Sequence, residues 1–111
     1  MAEVSAYSKN LRISSKKLGL VAKSFRGLKA KDAYESLRFV PKKAATPLAK
    51  TIKSAIANAE KNFGLKVDDL VIKEILVEQG TTLKRYRPAS RGMAHHILKR
   101  TSNLKVVLAD K

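Results

Sequence analysis

The sequence predicts an α+β fold: three helices packed on a small antiparallel sheet, with one long protruding β-hairpin. Three observations lead there. Apolar residues recur at helical spacing from Leu18 to Phe63, and the period changes to two from Leu70 onward. Between the two apolar runs Leu70 to Val77 and Leu104 to Ala109, which read as strands, lies a stretch too cationic to bury. That stretch, Leu83 to Arg100, carries six fixed positive charges, two histidines and no carboxylate. Burying each cation without a partner would cost several kcal/mol. An extended arm satisfies both the flanking strands and the charge, and its natural partner is a polyanion.

The bulk composition bounds the rest. A chain of 111 residues makes one domain, 1–111, with the arm as its 81–101 segment. A hydrophobic fraction of 44% is ordinary for a globular protein, whereas a formal net charge of +15 is not. Such a charge repels itself in the compact state and is tolerated most readily when a polyanion neutralises it. A membrane surface is the competing anion, but no run approaches about 18 apolar residues, so no membrane span or membrane partner is expected. The first residues, Met1 to Ser5, lack the basic and apolar regions of a secretory signal. Cysteine is absent, which removes disulfides and thiolate chemistry and fits a reducing cytoplasm.

Taken in order, 4–13 alternates loosely and reads as an edge strand. Ser14 stands at an N-cap position ahead of Leu18, Val21, Ala22 and Phe25, one helical stripe that Gly27 stops. Lys17 occupies the place where a capping box wants Glu. Gly19 lies off the stripe beside Lys16 and Lys23, either as a tolerated weak point or for close approach to phosphate. A second helix is predicted over 29–39, burying Ala30, Ala33, Tyr34 and Leu37. The third, over 41–62, places Leu48, Ile52, Ala55, Ile56, Ala59 and Phe63 on one face and ends at Gly64. Pro47 means that the helix starts near it or is kinked in its first turns. Val67-Asp68-Asp69 reads as a solvated acidic loop, because no third oxygen ligand accompanies the two aspartates. Beyond it Ile75 and Val77 face one way and Glu74 and Glu78 the other, and Leu104, Val106 and Leu108 repeat the alternation.

Enzyme chemistry finds no foothold. His95 and His96 are adjacent in a predicted strand, so they point to opposite faces and cannot chelate one ion together. No carboxylate in the arm orients either imidazole as a base. The chain has no Gly-rich phosphate loop, and Ser14-Ser15 and Thr81-Thr82 read as cap and strand residues. Neither metal, cofactor nor small-molecule substrate is expected, and the two histidines read as polar contacts to nucleic acid. The arm differs from an ordinary charged face in that its neighbours are unpaired and Arg dominates near the tip. Pro88 and Gly92 there specify a turn. RNA suits a narrow arm better than duplex DNA, which is more often read by a helix.

The run Ser54-Ala55-Ile56-Ala57-Asn58-Ala59-Glu60-Lys61-Asn62 carries a family signature. So does the arm, from Leu83-Lys84-Arg85 through Pro88, Gly92 and Ala94 to Ile97-Leu98-Lys99-Arg100-Thr101-Ser102. With Arg12-Ile13-Ser14-Ser15-Lys16-Lys17 and Arg26-Gly27, the chain resembles the bacterial-type large-subunit ribosomal protein twenty-two family from about Ala6 to Ala109. The resemblance implies a cytoplasmic, structural component of the large ribosomal subunit that binds large-subunit ribosomal RNA and supports subunit assembly and translation. It also implies a hairpin whose tip lines the nascent-peptide exit tunnel, with neighbouring large-subunit proteins and the nascent chain as further partners. Carried onto this sequence, Arg12, Lys16, Lys17, Lys23 and Arg26 form an RNA-binding surface on the body. Lys84, Arg85, Arg87, Arg91, His95, His96, Lys99 and Arg100 bind RNA along the arm. The tunnel tip is Pro88, Ala89, Ser90, Arg91, Gly92, Met93 and Ala94. Ala89 and Met93 stand where the family often has basic residues, and Asn103 where it often has histidine.

Two other classes are weighed against this. A DNA-binding protein would gather basic and amide side chains on one exposed helix face, and an RNA-processing enzyme would need acid, base or metal ligands that cannot be assembled here. If phosphates balance the +15 charge, RNA affinity falls steeply with salt, log K losing about 0.7 to 0.9 per decade of salt for each phosphate neutralised. A binding titration whose midpoint stays put between low and moderate salt refutes the polyanion partner.

Overall fold

The computed structural model describes residues 3–80, 83–88 and 94–110 of the chain. The predicted edge strand is β1 (Glu3–Leu11), and the chain leaves it through a bulge between Ser8 and Leu11. Asn10 occupies the left-handed region there, φ 58°, which asparagine tolerates better than most residues. Its amide donates to Asn103 Oδ1 at 3.1 Å. Ser14 then caps α1 (Ser15–Lys23), its hydroxyl accepting the Lys17 amide at 3.4 Å. Leu18, Val21 and Ala22 are the buried stripe of that helix, and Phe25 follows it into the core.

α2 (Ala30–Leu37) buries Ala30, Ala33 and Leu37, with Tyr34 half-buried at their margin. α3 (Ala45–Phe63) begins four residues later than the sequence reading placed it. The residues after Pro41 form a turn instead, closed by the Ala45 amide on the Lys42 carbonyl at 3.0 Å. Pro47 therefore falls in the first turn, where its missing N–H leaves no intrahelical bond unmade. Phe63 is the other correction, being 59% exposed at the end of the helix. Gly64 turns left-handed, φ 65°, and Leu65 takes the closing position, its amide reaching the Ala59 carbonyl and its side chain packing on the core. The expected acidic loop is a short 3-10 turn, Val67–Asp69, leading into β2 (Leu70–Gln79). Two shorter strands, β3 (Leu83–Pro88) and β4 (Ala94–Lys99), precede β5 (Ser102–Asp110).

The sheet of the body has order β1-β5-β2, antiparallel throughout. All three helices lie on one face: α3 over β1 and β5, α1 over β2, and α2 against α3. The core between them holds Leu18, Leu48, Ile52, Ile72, Ile75 and Val106, all completely buried. A bulge between Ile72 and Glu74 lets both Ile72 and Ile75 point inward although they are three apart. The outer edge of β2 is closed beside that bulge. The Gly27 amide donates to the Ile72 carbonyl and the Ile72 amide to the Leu28 carbonyl, both at 2.9 Å. Arg26 Nη2 continues the pairing onto the Ile75 carbonyl at 2.8 Å, so this edge offers little to a foreign strand. On the open face of the sheet, Lys73 donates to Glu3. That hydrogen bond and the paired charge hold the Glu3 carboxyl below its ordinary range and the Lys73 amine above its own.

β3 and β4 pair only with each other, from Leu83 opposite Lys99 to Pro88 opposite Ala94. Of the predicted tip, Pro88 to Ala94, the residues Ala89 to Met93 lie outside the described residues, as does the start of the shaft at Thr81-Thr82. With this ribbon the molecule measures 62 × 26 × 18 Å. Its radius of gyration is 17.0 Å, against about 13 Å for an average globule of this length. The core of the described residues is built from the three helices, the three-stranded sheet and the segments between them. Replacing Lys84 to Lys99 by Asn-Gly therefore leaves a folded domain with a nearly unchanged melting temperature. A thermal scan showing an unfolded chain would put the ribbon inside the cooperative unit.

Candidate nucleic-acid interface

The root of the arm is where backbone, packing and charge meet. The Gly80 amide donates to the Thr101 carbonyl at 2.9 Å, one last rung between the two chain segments before the ribbon begins. A Cβ at Gly80 would stand 2.7 Å from Thr101 Oγ1 and 3.3 Å from Asn103 Oδ1, so any larger residue would force the Thr101 side chain to move. Ser102, completely buried, donates from Oγ to the Ile13 carbonyl at 2.5 Å. That bond fastens the β1–α1 connection to the start of β5. It thereby holds Arg12 and Ser14 on one side and Arg100 on the other.

Between these anchors opens a cavity of about 650 Å³. Among the described residues five cationic ones line it: Arg12, Lys17, Lys42, Lys43 and Arg100. No carboxylate does. The floor is apolar, formed by Ile13, Val21 and Ala44, each less than a tenth exposed, and Leu20 stands at the margin 62% exposed. Lys43 Nζ reaches the Arg12 carbonyl at 3.5 Å, fixing the loop before α3 against the end of β1. The carboxylates of the body sit elsewhere. Glu3 pairs with Lys73, Asp68 lies 3.9 Å from Lys31, and Glu78 is within 3.5 Å of the Tyr7 hydroxyl.

The structure thus brings together three of the residues expected from the sequence, Arg12, Lys17 and Arg100, and leaves others apart. Lys16 and Lys23 are exposed on α1 beside the cavity and do not line it. Arg26 directs part of its guanidinium to the Ile75 carbonyl, which gives it a second, structural task. Lys84, Arg85 and Arg87 lie on β3 and Lys99 on β4. His95 and His96 are consecutive rungs opposite Arg87 and Tyr86. Lys42 and Lys43 were missed. Their signal was adjacency to Pro41, which makes a cationic turn rather than a helix start. Among the described residues no cluster of three His, Cys, Asp or Glu could hold a metal ion, and no helix is long and apolar enough to cross a membrane.

A body with a carboxylate-free cationic cavity at the root of a basic ribbon defines a class: a binding protein whose surface favours anions. The comparisons narrow it. The family model described as ribosomal protein L22p/L17e matches residues 6–109, and the chain belongs to that family. It is a cytoplasmic, structural constituent of the large ribosomal subunit and not an enzyme. The large ribosomal subunit protein uL22 of Akkermansia muciniphila is 49% identical over 109 residues, 98% of this chain and 97% of that one. The protein of the same name from Chloroflexus aggregans is 48% identical over 98% and 96% of the two chains. That of Streptococcus pyogenes serotype M6 is 46% identical over the full length of both.

The Ser102 hydroxyl donates to the Ile13 carbonyl in a buried setting, where an unmade hydrogen bond is costly. Ser102→Ala should lower stability by about 1 to 3 kcal/mol and loosen the cavity, read as a lower denaturation midpoint and faster amide exchange at Arg12 to Ser14. A midpoint equal to that of the unsubstituted chain would show that water replaces the bond.

Proposed function

We propose that this chain binds large-subunit ribosomal RNA through the body and the ribbon together, and extends the ribbon so that its tip lines the nascent-peptide exit tunnel. The observation that carries the reading is the cationic cavity at the arm root, five Lys and Arg side chains with no carboxylate among them. In water alone that arrangement is self-repelling, whereas a phosphate backbone neutralises it and releases counterions. Arg12, Lys17 and Arg100 act within the cavity, with Lys16, Lys23 and Arg26 on the adjoining exposed surface. Lys84, Arg85, Arg87, Arg91, His95, His96 and Lys99 contact RNA along the ribbon. Pro88 to Ala94 shape the tip next to the nascent chain.

Family membership supports this reading, and so does the separation of roles along the chain. A two-stranded ribbon with like charges is marginal in water. It gains a fixed course only where a partner surrounds it, and RNA supplies the opposite charge. Neighbouring large-subunit proteins meet the parts of the body that carry the carboxylates, where RNA phosphates are disfavoured.

Photoactivatable residues placed at Lys16 and at Ser90, in chains assembled into ribosomes, test both halves. The first should crosslink to large-subunit RNA, and the second to the peptide in a stalled translation complex. A Ser90 probe that reaches only RNA or only solvent would remove the tunnel role. A Lys16 probe without RNA crosslinks would remove the body surface.

A further inference from the structure

Charge alone does not account for the cavity. A double helix presents its phosphates on a convex surface and keeps its bases stacked inside, so it would engage the cationic rim and leave the floor unfilled. Yet the floor is Ile13, Val21 and Ala44, with no polar side chain among the three, and Leu20 extends it outward. At 100° per residue along α1, Leu20 lies between Lys17, on the cavity side, and Lys16 and Lys23 on the exposed side. A leucine 62% exposed in the middle of a cationic surface is apolar area that phosphate cannot cover. The volume, about 650 Å³, lies in the range of pockets that hold single small molecules.

We infer that this cavity receives one unstacked nucleotide of the RNA, its base lying on Leu20 and the Ile13–Val21–Ala44 floor while Arg12, Lys17, Lys42, Lys43 and Arg100 hold the phosphates on either side. The inference rests on the RNA-binding reading above and sharpens it: the body selects a bulged or single-stranded position rather than a continuous duplex. Every base offers an apolar face, so the floor recognises the unstacked state rather than a particular base. The hydrogen bond of Ser102 to Ile13 and the contact of Lys43 with the Arg12 carbonyl prepare the cavity before RNA arrives. That lowers the ordering needed on binding.

The test uses the full-length chain and two short RNA hairpins, one with a single bulged 2-aminopurine and one with the same residue fully paired. Binding should raise the fluorescence of the bulged probe severalfold, because the base leaves its stacked neighbours for an aliphatic floor that does not quench it. The bulged hairpin should also bind severalfold more tightly than the paired one, because only its base can cover the apolar floor. Leu20→Asp, on an exposed helix position, should abolish the rise and level the two affinities, whereas Leu20→Met should keep both. Equal affinity for the two hairpins with no rise overturns the nucleotide pocket and leaves RNA binding intact. A rise that survives in Leu20→Asp also overturns it, because the base must then sit elsewhere. Absence of binding to either hairpin at low salt overturns the RNA-binding reading itself.

Discussion

The structure depends on β5 being paired on both sides. Its outer neighbours, β1 and β2, come from opposite ends of the body, and only the ladder to β5 joins them into one sheet. Leu104, Val106 and Leu108 alternate along it and give the helices their floor. The first residue of the same strand, Ser102, secures the β1–α1 connection, and the residue before it, Thr101, accepts from Gly80. One strand therefore closes the core, anchors the cationic cavity and sets the direction in which the ribbon departs. A disturbance at its beginning would reach all three.

The ribbon shows the opposite balance. Among the described residues its ladder is its own, β3 on β4, and the core is built from the helices, the three-stranded sheet and the segments between them. The segment 83–100 carries six Lys and Arg residues and no carboxylate, so its charge is best neutralised by an anionic partner outside the chain. The body supplies only a firm root: a glycine that admits close approach, a buried hydroxyl bond and the last rung of the sheet. Rigidity at the root and dependence at the far end belong together, since a partner can position a ribbon only if its starting point is fixed.

Charge is segregated in the same way. Carboxylates gather on the open sheet face and around the 3-10 turn, where Glu3, Glu78 and Asp68 meet lysine or tyrosine. The exposed pairs contribute little stability, but they keep negative charge away from the arm root. There the cavity is uniformly cationic at its rim and apolar at its floor. A surface sorted in this way favours an anionic partner over one portion and leaves the carboxylates on another.

The order of elements was legible in the sequence because it rests on local periodicity. Helical spacing before Gly64, two-residue spacing after Leu70, a cap at Ser14 and a stop at Gly64 are properties of neighbouring residues, and they were found in place except at Phe63, which is exposed, and at the bulge after Ile72. The cationic arm was legible for an equally local reason, since no core can hold such a run. The L22p/L17e family was legible too, through the signature on α3 and the arm. What only the tertiary structure decided is how distant segments meet. The loop Gly27–Lys29 pairs with the edge of β2 beside the bulge after Ile72, and Leu65 rather than Phe63 closes the end of α3 because Gly64 reverses the chain. The cavity draws on residues 12–21, 42–44 and 100, three segments that are far apart in sequence. No window of sequence contains it. Convergence of that kind is set by the packing of helices on a shared sheet, which local pattern constrains but does not specify.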